Sequence, residues 1–307
     1  MTAAYLSAQL LNGLQLGVML FLLAAGMTLI FGIMGLINLA HGSFYMVGAY
    51  VAATVAARSG SFLIGLGAGI AVAVVLGILV EVTVIRPLYR RDHLQHVLVT
   101  FGLILFFNET TRVIWGGVSP NMPPPALLAG NVEIMPGLPY PAYRLAISAV
   151  GGLVAVGLAL LMAKTRIGML IRAGAADRAM VSALGVNIKW LYSLIFGLGA
   201  MLAALAGVMA GPILAIEVGM GENILIQAFV VVILGGIGSV RGSFVAALAV
   251  GMADSLGRAF LPLLLSQFFK PTTVSALAPA MASTVIYVLM AVVLLWRPQG
   301  ILVRRRA

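Results

Sequence analysis

The stretch QLLNGLQLGVMLFLLAAGMTLIFG, running from Gln9 to Gly32, contains no charged residue. As a helix rising 1.5 Å per residue it would reach about 36 Å, more than the roughly 30 Å hydrocarbon core of a bilayer. In lipid, backbone amides must be satisfied within one helix or inside a closed barrel. A run this long and continuously apolar suits a helix and not a barrel strand. Six more runs of the same kind follow: Phe62–Ile85, Leu94–Trp115, Tyr143–Ala163, Trp190–Ile216, Phe244–Leu265 and Leu277–Trp296. Two segments, Phe44–Ala57 and Ile224–Ile237, are shorter.

Composition points the same way. Hydrophobic residues make up 62% of the 307 and charged residues 8%, against roughly 45–50% and about 25% in soluble domains. Too little polar surface exists to coat a particle in water. The 36 glycines suit helices that approach closely in lipid. The expected fold is an all-α polytopic membrane protein with about 8–9 transmembrane helices, residues 1–307 forming a single transmembrane domain.

The net charge of +10 has an ordinary reading in a membrane protein, because basic residues collect on cytoplasmic loops. No basic stripe carries interleaved aromatics, so nucleic-acid binding is not expected. With no cysteine in the chain, disulfides, thiolate metal sites and cysteine nucleophiles are excluded. No Lys or Arg precedes Arg58, so the basic region of a secretory signal is missing and the first apolar run is expected to stay in the mature protein.

Sidedness follows from the basic residues. Arg86, Arg90 and Arg91 form one basic loop, and Lys164, Arg166, Arg172, Arg178 and Lys189 another. Arg297, Arg304, Arg305 and Arg306 make a basic tail, and Arg241 follows the glycine-rich segment. The Pro-rich loop of about residues 116–142 has no Lys or Arg before its end. The positive-inside rule therefore places the first groups in the cytoplasm, the C-terminus included, and the Pro-rich loop outside. Lys189 and Arg297 on one side require an even number of crossings between them, so Ile224–Ile237 is expected to cross. The N-terminus is outside if both Gln9–Gly32 and Phe44–Ala57 cross, and inside if one is re-entrant.

The longest cytoplasmic insertion spans about residues 164–189. Ala173, Ala176, Met180 and Leu184 recur at helical spacing as a narrow apolar stripe, with Arg172, Asp177 and Arg178 off it and Gly185 as a stop. Such a helix either seats in a groove of another protein or is a solvated loop. None of the three lysines, Lys164, Lys189 and Lys270, follows a glycine, so the phosphate-cradling GK[ST] tripeptide is missing and ATP hydrolysis by this chain is not expected. The run Phe229–Gly242 superficially imitates a dinucleotide fingerprint, but Arg241 occupies the third glycine position and the flanks are transmembrane. Close helix approach at a broken span is the better reading.

The segment INLAHGSFYMVGAY from Ile37 to Tyr50 resembles the N-terminal signature of branched-chain amino-acid ABC transporter permeases. Thr165-Arg166-Ile167-Gly168 through Arg172, Asp177, Arg178, Met180 and Leu184-Gly185-Val186-Asn187 looks like that family's cytoplasmic coupling loop. Leu234-Gly235-Gly236-Ile237-Gly238-Ser239 is similar to its third block, and Pro298-Gln299-Gly300-Ile301-Leu302 to its ending. These blocks occur in family order, and the coupling-loop pattern favours the H-type subunit. The resemblance implies a type II importer permease with the fold of vitamin B12-type and ribose-type importers, in a bacterial inner membrane. It implies as partners a second, related permease, two cytoplasmic ATPases that bind the ATP and magnesium, and a periplasmic substrate-binding protein; no cofactor is expected in this chain. Arg166, Gly168, Arg172, Asp177, Arg178, Met180, Leu184 and Gly185 would then contact the ATPase. Ser43 stands where the family often has an acidic residue, and Arg241 and Ser243 where it commonly has Pro and Ala. The first departure leaves the cargo open among branched-chain amino acids, urea, and aromatic or other carboxylates.

Charges inside spans call for partners or a wet path. Glu109 and Arg112 at i, i+3 and Asp254 and Arg258 at i, i+4 are placed to pair, either locking helices or gating the path. Glu81, one turn from Arg86, is expected to snorkel or pair there. Asn38 and His41 flank a break in a span, where transporters place substrate. With Ser43, Tyr45, Gly235, Gly236, Gly238 and Ser239 they are candidates for the translocation path, the alternative being hydrogen bonds that satisfy the broken backbone. His93 and His96, at i, i+3 in a basic loop with only Asp92 nearby, read as a solvated face and not as a metal site. His41-Gly42-Ser43-Phe44 and Arg241-Gly242-Ser243-Phe244 echo one another, a match short enough to arise by chance. A secondary transporter driven by an ion gradient is the rival from another class, with Glu109 or Asp254 as its essential carboxylate. An intramembrane enzyme fares worst, because no spacing assembles a nucleophile with a base.

Overall fold

The computed structural model describes residues 3–89, 91–298 and 300–301. Arg90 of the first basic loop, Gln299 and Leu302 of the terminal motif, and Arg304, Arg305 and Arg306 of the tail lie outside the described residues. Eleven α-helices are described in order: α1 (Ala3–Met34), α2 (His41–Ser59), α3 (Phe62–Val80), α4 (His93–Trp115), α5 (Ala142–Lys164), α6 (Arg166–Ala176), α7 (Arg178–Ala183), α8 (Ile188–Ala210), α9 (Met220–Gly235), α10 (Val240–Leu265) and α11 (Pro271–Trp296). Seven of them are long and apolar enough to cross a membrane: α1, α3, α4, α5, α8, α10 and α11. The chain is thus an all-α polytopic membrane protein. Helix α8 stops at Ala210, earlier than the apolar run suggests, because Gly211-Pro212 follows and proline cannot continue a helix.

Helix α1 is the centre of the bundle. From Val18 to Ile30 nearly every side chain is buried, as expected of a helix apolar all round. It packs most extensively on α10 and then on α8 and α5. The α1–α10 register is antiparallel: Gly13 lies against Met252, Gly17 against Leu248, Phe21 edge-on to Phe244 at 5.0 Å, and Gly32 against Gly238. Thr28 Oγ1 and Ser243 Oγ share a 2.7 Å hydrogen bond across this seam.

Small residues set the other contacts, as membrane helices require. A Cβ placed at Gly48 of α2 would stand 2.7 Å from the Ala204 Cβ of α8, and one at Gly77 of α3 2.6 Å from the Ala200 Cβ. The Gly-Ser-Phe echo has a structural counterpart, since each copy opens a helix against one end of α9. Gly42 in the first turn of α2 abuts Gly221 at the start of α9, and Gly242 in the first turn of α10 abuts Gly235 at its end.

One expectation is corrected and one feature is new. The stripe Ala173, Ala176, Met180 and Leu184 does not lie on one helix: the chain breaks at Asp177, which is extended (φ −153°, ψ 99°) and starts α7 anew. The outer loop carries an unforeseen hairpin, β1 (Asn131–Met135) paired antiparallel with β2 (Leu138–Pro141) around a Pro136-Gly137 turn, the dipeptide such turns favour.

The bundle has two ends. Asn12 near the start of α1 accepts bonds from Tyr140 of the hairpin (3.0 Å) and Arg144 of α5 (2.7 Å), so the N-terminal end of α1 and the Pro-rich loop share one end. At the other, Gly174 of α6 neighbours Ile33 of α1, and the Ile301 amide donates to the Leu234 carbonyl of α9 (2.8 Å).

Candidate functional site

Three regions carry polar groups that packing alone does not require. The first is the α6–α7 hairpin. Thr165 caps α6 by accepting from the Gly168 amide (3.0 Å). Gly168 lies so close to the backbone of Leu161 and Met162 that no side chain fits there. Asp177 Oδ1 accepts from the amides of Ala179 (2.9 Å) and Met180 (3.0 Å), capping α7. After Leu184 the chain turns through Gly185 at φ 87°, a left-handed stop. Val181 anchors the short helix inward, whereas Met180 and Leu184 are 63% and 77% exposed. Arg166, Arg172, Asp177 and Arg178 are exposed around them. With Met169 of α6, also more than half exposed, the hairpin offers three apolar side chains in a basic surround.

Beside it lies Glu81, paired with Arg86 as expected but fully buried instead of snorkelling to the surface. Helix α3 widens into a π-helical turn at Glu81–Ile85. Glu81 is fully buried there, bound by Arg86 through Nε (3.2 Å) and Nη2 (2.9 Å), by Ser193 of α8 (2.5 Å) and by the Tyr89 hydroxyl. A four-donor shell is what a buried carboxylate needs. His96 is also buried, with Nε2 2.7 Å from the Leu88 carbonyl, because α4 folds it against the end of α3; it is not on a solvated face.

The second region is the break. Residues 35–40 are irregular, and Asn38 Oδ1 accepts from the Ala40 amide (3.1 Å). Asn38 and His41 are buried and line a small void with Met27, Ile30, Phe229 and Val232. Ser43 is buried beside them in α2. Gly235, Gly236, Gly238 and Ser239 form the tight turn between α9 and α10, with Gly236 and Gly238 at φ 88° and 81° and Ser239 Oγ accepting from the Gly242 amide (3.0 Å). The path candidates therefore fall into two places, and only Tyr45 reaches the third region.

That region is a cavity of about 560 Å³ at the end of the bundle that holds the hairpin strands, within the range of small-ligand sites. Helix α1 contributes Gln9, Asn12, Gln15 and Met19; α5 contributes Arg144; the 211–219 segment and α9 contribute Glu217, Met220 and Asn223. Asp254 and Arg258 of α10 complete the wall, joined by two hydrogen bonds of 2.8 and 2.9 Å. Behind Asn12, burial raises the Tyr140 phenol above its ordinary range, the Arg144 charge opposing, and Tyr140 donates to Asn12 as a neutral hydroxyl. Glu109 and Arg112 also pair, at 2.7 Å, but on the exposed face of α4 away from this cavity. The sequence places Glu217 on the outer side but does not bring it together with Arg144 and Asn12, because the three come from distant segments; the one hint is an arginine in the first turn of a span.

Residues 9–294 match the family described as branched-chain amino acid transport system / permease component. The chain is 34% identical to the high-affinity branched-chain amino acid transport system permease protein BraD of Pseudomonas aeruginosa, over 86% of this chain and 94% of that one. It is 31% identical to the corresponding LivH of Escherichia coli K12, over 84% and 87%. It is 25% identical to a probable LivH of Methanocaldococcus jannaschii, over 78% and 76%. No solved structure matches.

Proposed function

The chain belongs to the branched-chain amino-acid transport permease family, and on that premise we propose that it forms the translocation path of an ATP-driven importer for branched-chain or related amino acids. It is a multi-pass inner-membrane transport subunit and not an enzyme. Residues 1–307 act as one permease domain of the type II importer fold. The seven long helices cross together with α2 and α9, giving nine passes with the N-terminus outside and the C-terminus in the cytoplasm. The basic residues of the 164–189 loop support that orientation, as does the shared end of α1 and the lysine- and arginine-poor loop.

The observation that carries the reading is the α6–α7 hairpin, which holds Met180 and Leu184 out from a bundle whose sequence has no phosphate-binding loop. An ATPase gripping Arg166, Arg172, Arg178, Met180 and Leu184 differently in its nucleotide-bound and free states would bias the bundle between outward and inward openings. ATP and magnesium belong to two such ATPases; a second permease and a periplasmic binding protein complete the assembly. Asp254 and Glu109 are each held by an arginine, which speaks against either as the carboxylate of a gradient-driven carrier. Isolating the chain from its native membrane and identifying what travels with it tests the proposal: co-isolation of an ATPase supports it, and isolation of a lone, nucleotide-insensitive carrier refutes it.

A further inference from the structure

A second cavity, of about 880 Å³, lies at the end of the bundle that carries the α6–α7 hairpin, between the π-helical turn after α3 and the start of α8. Its wall is cationic. Arg178 and Lys189 line it, and among the described residues neither side chain forms an ion pair or a hydrogen bond. Arg86 lines it too; its Nε and Nη2 are committed to Glu81 and Ser193, which leaves the two N–H groups of Nη1. At the start of α8, Asn187 caps the Trp190 amide (3.1 Å), while the amides of Ile188 and Lys189 ahead of it find no acceptor. Tyr192 adds an independent sign of a ligand. It lines the cavity and is only 4% exposed, yet its hydroxyl has no hydrogen-bond partner, a costly arrangement for a buried polar group. On the outer side the lining turns apolar. Val75, Leu79 and Val82 are exposed at i, i+4 and i+7 along α3 and its continuation, a strip about 10 Å long that ends in the cavity at Val82. Trp190, next to Lys189, is exposed as well, the placement tryptophan favours at a membrane–water boundary.

We propose that this cavity binds the phosphate of an anionic phospholipid. Lys189, the Nη1 group of Arg86 and the Tyr192 hydroxyl surround the headgroup, Arg178 adds its charge from the hairpin, and an acyl chain runs along Val82, Leu79 and Val75. A free phosphate ester would use the cations and not the apolar strip, whereas the lipid uses both. No carboxylate lines the cavity, so the cation of a zwitterionic headgroup would meet only like charge there. Basic pockets between spans on the cytoplasmic side suit anionic headgroups for these reasons. The site stands apart from the cargo path and goes beyond the importer reading.

The test uses the complex as isolated from its native membrane, stripped of lipid in mild detergent and titrated with dioleoylphosphatidylglycerol, dioleoylphosphatidylcholine or glycerol 1-phosphate, bound ligand being counted by native mass spectrometry. Wild type should take one phosphatidylglycerol about tenfold more tightly than either of the others. Lys189→Gln should lower the preference over phosphatidylcholine about fivefold, the worth of one basic residue near an anionic surface. Tyr192→Phe should weaken phosphatidylglycerol about tenfold, the low end for a hydrogen bond to a charged group; because that hydroxyl has no protein partner, the change leaves the packing intact. Lys164→Gln, at the end of α5 and outside the cavity, should alter neither quantity by more than about twofold. Equal retention of both lipids by wild type, or equal losses in Lys164→Gln and Lys189→Gln, overturns the inference. Glycerol 1-phosphate binding as tightly as the lipid would assign the cavity to a free phosphate ester, and phosphatidylglycerol binding only after partner chains are removed would assign it to a protein; either result overturns it as well.

Discussion

Removing the carboxylate of Asp177 tests whether the α6–α7 hairpin works as a shaped element. Helix α7 has six residues, too few to be stable by itself, and it is held by the buried Val181 and by the Asp177 cap on two amides. Replacing a capping Asp with Ala costs about 1 kcal/mol, with a range of 0.5–2. Since 1.4 kcal/mol is a factor of ten, that loss lowers the ratio of ordered to disordered α7 about fivefold. For a helix near balance the ordered fraction then falls about threefold, so Asp177→Ala should cut ATP-driven uptake in proteoliposomes by roughly that factor, and by at most about fivefold, while membrane insertion persists. Amide exchange across residues 178–184 should quicken in step. Asn and Ser cap nearly as well as Asp, so Asp177→Asn and Asp177→Ser should keep most of the activity. If Asp177→Asn fails as badly as Asp177→Ala with α7 still protected, the charge and not the cap is what matters, and the reasoning is refuted.

Three other outcomes are expected. Arg86→Met strips the main partner from buried Glu81 and should destabilise the detergent-solubilised protein by about 3–5 kcal/mol; adding Glu81→Gln should restore much of its thermal stability, and failure to do so would show that the pair is not coupled. Gly42→Val and Gly221→Val each force apart the touching starts of α2 and α9 and should abolish assembled complex on size-exclusion chromatography; normal assembly of either would contradict the packing. Glu109→Gln and Arg112→Gln break a pair with both side chains more than half exposed, so uptake should change less than twofold, and a large loss in either would reopen the gradient-driven reading.

Hydropathy alone disclosed the long helices, because lipid imposes the same demand on every residue of a span. It placed α9 near its observed position and missed its start by four residues, since Gly219, not an apolar residue, begins the turn into it. The break at Asp177 was readable in principle: an Asp preceding a short helical run is a cap signal, hidden by the continuing Ala and Met spacing. Burial of Glu81 was not readable, because the Ser193 that completes its shell is supplied by a helix 112 residues away. The outer cavity was least legible of all, assembled from Gln9, Arg144, Glu217 and Asp254, residues whose convergence is purely tertiary.

Reconstitution into sealed vesicles bears most directly on the central claim that this chain is a conduit driven from outside itself. With its ATPase partners and binding protein, uphill accumulation of leucine should require ATP and vanish when the ATPase is omitted. Uphill accumulation by this chain alone, on a proton or sodium gradient without nucleotide, would contradict the account.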